Sequence, residues 1–314
     1  MNKYGTNFIH TGDEVIVVEA DEYDRSFMQL SPDIAGVTAM DADHLDIYGD
    51  VSEFEKTFHD FAALVPDGKL YTNEKVDLPS KKVGVSNGFI HAENLDIKNG
   101  LYHFDLSVDD QIYRNFKFAL PGHHNLSNAL LALSIALEYG VSVDDLREPL
   151  ATFPGVERRF TYRIKTDDFV LIDDYAHHPT EIHAVHAATR EMYPEAQVHV
   201  IFQPHLFTRT RDFMEGFAHS LAKFDSVKLL EIYPAREEPI EGINSKKLSD
   251  EIRSISKKTD VEVIQKDEIY AFAKAINTQK TTQNQQQILL MLGAGDIGLE
   301  INNLVQQLNA ENEE

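Results

Sequence analysis

From residue 169 onward, short apolar runs alternate with segments whose apolar residues follow a helical period. Such alternation is typical of a parallel sheet wrapped by helices, because a parallel crossover needs a connection long enough to hold a helix. We therefore predict an α/β fold with a mostly parallel sheet for this half of the chain. The apolar runs are FVLI, QVHVIFQP, SVKLLEIY, VEVI and QILLMLG, and helices are expected to begin near residues 208, 245 and 267 and after the last run.

The first half of the chain has a less regular pattern. Apolar residues at helical spacing predict a helix whose core face holds Phe54, Phe58, Phe61 and Leu64. The elements expected here are buried strands at residues 14–20 (EVIVVEA) and 34–40, a helix at 52–64, short strands between 69 and 120, a helix through 139, and a helix at 142–152 capped by Ser142.

A boundary signal lies near the middle of the chain. Phe153-Pro154-Gly155 combines the two residues that most often interrupt regular structure. A chain of 314 residues is also long enough for two domains. We predict one domain over residues 1–153 and a second over residues 154–314.

The charge and composition of the chain exclude several classes of protein. The 29 basic and 52 acidic residues give a net charge of −23, so the chain repels nucleic-acid phosphates, and an anionic ligand needs local arginines, helix N-termini or a divalent cation. The absence of cysteine excludes disulfides and thiolate chemistry. No apolar run approaches the roughly 18 residues of a membrane span, and no signal-peptide pattern is present. We expect a soluble, cytoplasmic protein without nucleic-acid or membrane partners.

The stretch DDYAHHPTE at residues 173–181 combines two acids, a phenol and two imidazoles. It follows an apolar run and precedes a helical pattern, which is where open α/β sheets place groups that contact ligands. A helix cap explains the same stretch, because Thr180 and Asp174 suit capping positions and Pro179 suits a first turn. The residues alone leave both interpretations open.

Two further clusters in the first half suggest ligand contacts. Acids crowd the end of the first predicted strand, around Glu19, and acids with His44 follow the second, a composition that suits Mg²⁺. Solvated loop acids are the alternative. Asn125 and Asn128 share one face of a predicted helix, where their amides could contact a purine edge or serve as caps.

A glycine motif near the C-terminus, Gly293 to Gly298, matches the dinucleotide-binding fingerprint. The sequence ends at Glu314, which leaves no second strand and no acid at the distance expected for a ribose contact. We expect these glycines to serve a tight turn and close helix packing.

Taken together and in this order, VVEADEYDRSF, DADHLDIYG, PGHHNLSNAL, FPGVERRF, DDYAHHPTE and FQPHLFTRTRDF resemble the Mur ligases. The resemblance covers nearly the whole chain, and DDYAHHPTE with FQPHLFTRTRD is its most specific part. More narrowly it points to the members that join L-alanine to UDP-N-acetylmuramate, with the ligases that recycle a whole peptide onto the same sugar as the alternative. It implies a Rossmann-like C-terminal domain and ATP-dependent amide formation through an acyl phosphate in peptidoglycan precursor synthesis.

The resemblance also implies roles for individual residues. Beside these roles, the ordinary interpretation of the neighbouring residues is that Arg158 is a surface charge and that His178, His183 and His186 are packing or solvated residues. By resemblance, the metal ligands for Mg²⁺ are Glu19 and His44, the ATP contacts are Asn125, Asn128, Arg159 and Asp174, the contacts to UDP-N-acetylmuramate and L-alanine are Tyr175, His177 and Arg209, and the catalytic residues are His177, Arg209 and Arg159.

The sequence departs from the family pattern in two places. No G-x-x-x-x-G-K-[ST] motif occurs in the chain, whereas family members carry a Gly-Lys-Thr loop and a UDP-binding domain before the VVEADE segment. Met1 stands only 18 residues before Glu19, so we expect the first domain to be an incomplete ATPase domain and the chain to be inactive alone. Leu206 stands where many relatives have arginine, which weakens the expectation of an anion contact there.

Two other classes of function remain open at this point. A metal-dependent hydrolase could be built on Asp173, Asp174, His177 and His178, although it would leave ERRF and the paired asparagines without a role. A non-catalytic binding fragment would fit the acidic surface and the absence of a phosphate-binding loop.

Overall fold

The computed structural model describes residues 8–10, 12–41, 45–98, 100–278 and 285–311. The chain divides between Pro154 and Gly155 into two compact units. Within the described ranges, no helix is long and apolar enough to cross a membrane.

The described part of the N-terminal unit contains one six-stranded sheet in the order β1-β2-β3-β4-β5-β6. Neighbouring strands from β1 to β4 are parallel, and β4, β5 and β6 form an antiparallel meander. The strands are β1 (Ala35–Val37), β2 (Leu70–Asn73), β3 (Lys81–Gly84), β4 (Ile90–Lys98), β5 (Leu101–Val108) and β6 (Gln111–Phe118). The helices are α1 (Leu45–Tyr48), α2 (Val51–Ala62), α3 (His123–Tyr139) and α4 (Val143–Ala151), with a 3-10 turn at Ser26–Gln29.

The helix predicted at residues 52–64 is present as α2, but it ends earlier. The Asp50 carboxylate caps it by accepting from the Glu53 backbone N–H at 2.9 Å. Three of the predicted core residues, Phe54, Phe58 and Phe61, are buried, and Phe61 stacks on Phe27. Leu64 is exposed, contrary to the prediction, because α2 stops at Ala62 and the helical spacing no longer applies.

The prediction of a buried strand at residues 14–20 is wrong. This run has no regular secondary structure, and Ile16 and Val17 are 87% and 90% exposed. An apolar run becomes a strand only where a neighbouring strand pairs with its backbone, and among the described residues it has no such neighbour. The second predicted strand is shorter than expected and is present only as β1.

A charged cluster attaches the end of α3 to the sheet. The Glu138 carboxylate accepts hydrogen bonds from the Lys69 ammonium and the Tyr71 hydroxyl, and the Lys81 ammonium lies 3.2 Å from it. These donors, Lys69 first, lower the pKa of Glu138 to about 2. The carboxylate is therefore ionised at any neutral pH and anchors α3 to β2 and β3.

The described part of the C-terminal unit also contains a six-stranded sheet, in the order β11-β10-β9-β12-β8-β7. Its strands are β7 (Thr161–Lys165), β8 (Phe169–Asp174), β9 (Gln197–Phe202), β10 (Ser226–Leu229), β11 (Asp260–Val263) and β12 (Gln287–Leu292). Strands β8 to β12 are parallel and only the edge strand β7 is antiparallel, which confirms the predicted mostly parallel sheet.

Helices cover both faces of this second sheet. Buried residues of α5, α7 and α8 pack with Val170 and Ile172 of β8, whereas those of α9 and α10 pack with Phe169 and Leu171. This division follows from β8 itself, because successive side chains of a strand point to opposite faces. The helices are α5 (Pro179–Met192), α6 (Phe207–Asp212), α7 (Met214–Leu221), α8 (Ser245–Ile255), α9 (Ile269–Asn277) and α10 (Ile297–Glu311), with a 3-10 turn at Lys266–Glu268.

The strand order determines where a site can form. The strands β9 and β12 are neighbours, and α7, which comes after β9 and the short α6, packs on the opposite face of the sheet from α10, which follows β12. The connections after these strands therefore diverge and leave a crevice at the carboxyl ends, the position at which open α/β sheets bind ligands. The loop after β8, which lies beside β12, reaches the same edge.

Candidate active site

The stretch at residues 173–181 is both a helix cap and the loop that presents two candidate site residues. The capping residue is His178, not Thr180 or Asp174, and Pro179 occupies the first turn of α5 as predicted. The Glu181 carboxylate accepts from the backbone N–H groups of His177 and His178 at 2.8 and 3.1 Å. This reciprocal cap fixes the loop that carries Tyr175 and His177.

Asp174 holds two backbone segments together. It is 4% exposed, and its two carboxylate oxygens accept from the N–H groups of Phe160 and Ala176 at 2.7 and 2.8 Å. Burial raises the pKa of Asp174 to about 6, although both backbone N–H groups favour the ionised form. The start of β7 and the loop after β8 are thereby fixed to each other.

Tyr175 lies between cationic side chains. Its ring centroid is 5.1 Å from the Arg158 guanidinium carbon and 5.7 Å from that of Arg159. The Arg159 side chain is 50% exposed and lies 3.5 Å from the Glu181 carboxylate. Both guanidinium groups are within the range of a cation–π interaction with the phenol ring.

The His177 ring lies near the rings of Tyr175 and His205, and His205 in turn contacts the buried Arg209. Its ring is 5.2 Å from the Tyr175 ring and 6.0 Å from the His205 ring. His205 Nδ1 lies 3.3 Å from the Arg209 guanidinium, which belongs to α6 and is 6% exposed. Burial and the nearby Arg209 lower the pKa of His205 to about 4, so this imidazole is neutral at pH 7 and accepts from Arg209.

The connection after β9 presents Arg209 through a strained turn. Leu206, the residue before α6, has a φ of +71°, which is unfavourable for a side chain with a Cβ. Its backbone N–H donates to the Tyr233 carbonyl at 2.9 Å, and Glu237 accepts from the Thr208 N–H at 3.0 Å. Surrounding contacts of this kind are what allow strain to persist at functional sites.

The glycines after β12 serve close packing, as the sequence predicted. A Cβ on Gly293 would lie 2.8 Å from the Gln203 carbonyl oxygen, and one on Gly298 would lie 2.5 Å from the Arg158 guanidinium carbon. Gln203 also accepts from the Ile297 N–H at 2.9 Å. These contacts hold the start of α10 against the connection after β9.

Arg158 is not the surface charge that the sequence suggested. Its Nε lies 3.2 Å from the Asp173 carboxylate, and its Nη2 donates to the Gly293 carbonyl at 2.5 Å. Asp173 is itself buried and also pairs with Arg163 at 2.9 Å. The order of residues in ERRF shows two cations but does not show which of them turns inward.

The predicted nucleotide contacts of the N-terminal unit lie together on α3. The Asn125 side-chain amide donates to the Pro121 carbonyl at 2.7 Å, and Asn128, almost one turn later, is exposed. Glu19 is exposed and has no regular secondary structure, and His44 lies outside the described residues. Over the ranges that the structure describes, no group of three or more histidine or acidic residues could hold a metal ion.

Sequence reasoning missed three residues that shape the site: His205, Glu181 and Glu237. His205 was visible within the motif FQPHLFTRTRDF, and Glu181 closes the motif DDYAHHPTE, but a histidine cap does not match the usual pattern of serine, threonine, aspartate or asparagine. Glu237 had no signal, since it contacts Thr208 across 29 residues of sequence.

Comparisons with known protein families match both units. The model of the Mur ligase middle domain matches residues 2–136, and the model of the Mur ligase glutamate ligase domain matches residues 158–295. The two matches occur in the order in which the motifs were found in the sequence.

Individual relatives agree with these matches. The chain is 53% identical over 305 residues to the UDP-N-acetylmuramate–L-alanine ligase of Christiangramia forsetii, covering 96% of this chain and 65% of that protein. It is 45% identical over 311 residues to the ligase of the same name from Flavobacterium johnsoniae, covering 98% and 67%. The solved structure of UDP-N-acetylmuramate-alanine ligase from Thermotoga maritima superposes with a TM-score of 0.72 at 23% identity, covering 93% and 63%. The chain thus spans about two thirds of the length of these relatives.

Proposed function

The chain belongs to the Mur ligase family, and we propose that its activity is the ATP-dependent joining of L-alanine to UDP-N-acetylmuramate. Two relatives at 53% and 45% identity carry that name, which supports L-alanine as the acceptor over the peptide of the recycling ligases. Substrates of this kind belong to the cytoplasmic stage of peptidoglycan precursor synthesis, so a cytoplasmic location forms part of the proposal.

The observation that supports this function most is the concentration of cationic and imidazole groups around Tyr175 in a strongly acidic chain. The net charge is −23, yet Arg159, His177 and the buried Arg209 follow one another at the carboxyl end of a parallel sheet. A substrate that carries a carboxylate and a diphosphate needs such local cations to approach an acidic protein.

In the proposed reaction, ATP supplies the phosphoryl group that converts the muramoyl carboxylate into an acyl phosphate. The amine of L-alanine then attacks the acyl carbon, the C–N bond forms, and phosphate leaves with the C–O bond electrons. Arg209 and Arg159 stabilise the negative charge that develops on the reacting oxygens, because donors fixed in a partly buried site need no reorganisation.

His177 is the residue best placed to move a proton. Its Nδ1 lies 2.9 Å from the Tyr175 carbonyl, so in the neutral ring Nδ1 donates and the lone pair resides on Nε2. We propose that Nε2 accepts the proton that the L-alanine amine loses as the amide forms. Tyr175, whose ring meets His177 edge-on, supplies a flat wall on the substrate side.

The nucleotide contacts remain proposals. Asn125 and Asn128, close together on one helix, suit an adenine edge, and Arg159 suits the phosphates because its side chain is half exposed. Asp174 uses both carboxylate oxygens on backbone N–H groups, so a contact to the ribose would need to share one of them. The family resemblance is the only support for Glu19 and His44 as ligands of Mg²⁺. Glu19 is exposed and His44 lies outside the described residues, so the structure gives no distance between the two side chains.

The contacts of the loop argue against the metal-dependent hydrolase. Asp173 is ion-paired to Arg158 and Arg163, and His178 accepts from the Thr180 N–H as the cap of α5. Two of the four residues that such a site would require are therefore engaged in holding the loop.

The experiment that tests the function uses two proteins. The first is the 314-residue chain, which we propose is inactive alone because it contains no G-x-x-x-x-G-K-[ST] motif to cradle ATP phosphates. The second, called the joined ligase, combines this chain with the part of the C. forsetii relative that it does not cover. Mass spectrometry should find UDP-N-acetylmuramoyl-L-alanine only with the joined ligase, and should find more of it than of the UDP-N-acetylmuramoyl-tripeptide that forms when a tripeptide replaces L-alanine as the acceptor. Product from the chain alone, or a preference for the tripeptide, would contradict the proposal.

A further inference from the structure

Arg158 contacts Asp173, Gly293 and the Tyr175 ring, and we propose that it is a positioning residue for Tyr175. The role is distinct from substrate binding, because two of the three guanidinium nitrogens already bond within the protein. Its Nε lies 3.2 Å from the Asp173 carboxylate and its Nη2 donates to the Gly293 carbonyl at 2.5 Å.

These two contacts fix the guanidinium between two strand ends. Asp173 is the penultimate residue of β8, and Gly293 directly follows β12, the strand that pairs with β8. Asp173 is 1% exposed, so its charge must be matched by a fixed cation, and an unpaired carboxylate there would be costly. Arg158 is therefore held by groups that cannot move without opening the sheet edge.

Arg158 in turn holds Tyr175 at both the backbone and the ring. The Arg158 carbonyl accepts from the Tyr175 N–H at 2.7 Å, and its guanidinium carbon lies 5.1 Å from the Tyr175 ring centroid. Tyr175 is 36% exposed, so burial alone leaves its ring free to change rotamer. A cation–π contact of about 0.5–1 kcal/mol is enough to favour one orientation severalfold.

Glycine at position 298 leaves space for the Arg158 guanidinium beside α10. The Arg158 guanidinium passes so close to α10 that a Cβ on Gly298 would lie 2.5 Å from its carbon. A methyl group here would displace the guanidinium and weaken its bonds to Asp173 and Gly293, while Arg163 remains paired with Asp173. Alanine is otherwise compatible with a helical position.

This positioning role depends on the proposed function in one respect only, namely that Tyr175 contacts the substrate. If Tyr175 forms the wall against which the acceptor and His177 meet, its orientation decides how often the reacting groups are aligned. Misplacement of such a wall lowers turnover while the charges that bind substrate remain. Arg158 would thus affect the rate without contacting the substrate.

The first test measures the orientation of the ring without any assay of activity. The chain contains no tryptophan, so Tyr175→Trp introduces a single indole, which can be excited selectively over the tyrosines, at the position in question. In the 314-residue chain, adding Arg158→Met should lower the anisotropy of the indole and raise its quenching by acrylamide at least about twofold. Arg163→Met is the matched control, since Arg163 makes the other ion pair to Asp173 and also pairs with the exposed Glu157.

The second test uses Gly298→Ala, which keeps Arg158 and its charge. We expect a folded protein with a somewhat lower Tm, the same increase in acrylamide quenching when the substitution is combined with Tyr175→Trp, and in the joined ligase about a 10-fold fall in kcat with KM for ATP unchanged. Equal quenching in all three variants would overturn the positioning role. If the indole responds as expected but the joined ligase makes no product, the positioning role stands and the proposed function fails.

Discussion

The imidazole Nδ1 of His177 lies close to two oxygen atoms that can orient the ring. Its Nδ1 lies 2.9 Å from the Tyr175 carbonyl and 3.2 Å from the Glu181 carboxylate, whose backbone bonds also cap α5. Burial alone would raise the pKa of Glu181, but His177 and the backbone N–H groups of the cap lower it. The carboxylate therefore stays ionised and orients the ring, as the third member of an acid–base arrangement does.

Replacing His177 by alanine in the joined ligase should reduce kcat about 100-fold, the usual contribution of one positioned proton acceptor. His183→Ala is the matched control, because His183 is an exposed histidine of α5, the helix that follows His177. The measurement is initial-rate kinetics together with a thermal melt of each variant. Turnover at the unsubstituted rate with intact stability would remove His177 from the mechanism.

The buried Asp174 makes stability depend on pH in a specific direction. Its folded pKa is raised from 3.8 to about 6, so the folded state favours the protonated form. Its contribution to stability is complete below about pH 4 and is lost as the pH rises through 6. The shift of roughly two units, at about 1.4 kcal/mol each, corresponds to about 3 kcal/mol at most.

Asp174→Asn removes this titration and leaves a group of the same shape. The free energy of unfolding of the original chain, compared with that of the variant by urea denaturation between pH 4 and 7, should fall with rising pH by up to about 3 kcal/mol. A difference that does not change with pH, or that grows as the pH rises, would show that Asp174 is not buried as described.

At the scale of helices and strands, the second half of the chain was predictable because its signals are local. The strands β8 and β12 come from largely apolar runs and are buried along their whole length, which is what burial on both faces of a parallel sheet requires. The start of α5 was predicted from Pro179, but the identity of its cap was not, since His178 acts there only because Glu181 returns to complete the arrangement. The contact between Thr208 and Glu237 joins distant parts of the sequence and left no local pattern.

The run at residues 14–20 shows why an apolar pattern alone is insufficient. Its sequence has the composition of a buried strand, but burial depends on a neighbour that the pattern cannot specify. The same reason explains Arg158, whose sequence position gives no indication that Asp173 and Gly293 converge on it. Long-range partners, not local conformation, are what the sequence failed to reveal.

Serine substitutions test the exposure of this run directly. Val17→Ser should change the free energy of unfolding by less than about 0.5 kcal/mol, because Val17 is 90% exposed. Val200→Ser, at a fully buried position of β9, should cost about 2 kcal/mol or more, since it removes apolar contacts and buries a hydroxyl. Urea denaturation of both variants decides the question, and a large loss for Val17→Ser would mean that the run is packed.

At the scale of the whole molecule, the cationic groups lie at the same edge of the C-terminal sheet at which the strand order predicts a ligand site. An acidic chain with a net charge of −23 concentrates Arg159, Arg209 and neutral His205 at the carboxyl edge of its C-terminal sheet. That edge is where the strand order opens a crevice between β9 and β12. Both family matches and the identity of up to 53% to named ligases place this arrangement in the Mur ligase family.

We propose that this chain supplies one part of a site that makes an amide through an acyl phosphate. The most direct test supplies the joined ligase with UDP-N-acetylmuramate labelled with ¹⁸O in its muramoyl carboxylate, together with ATP and L-alanine. We expect each turnover to transfer one labelled oxygen to inorganic phosphate and to leave the other in the amide. Amide product accompanied by unlabelled phosphate would contradict it.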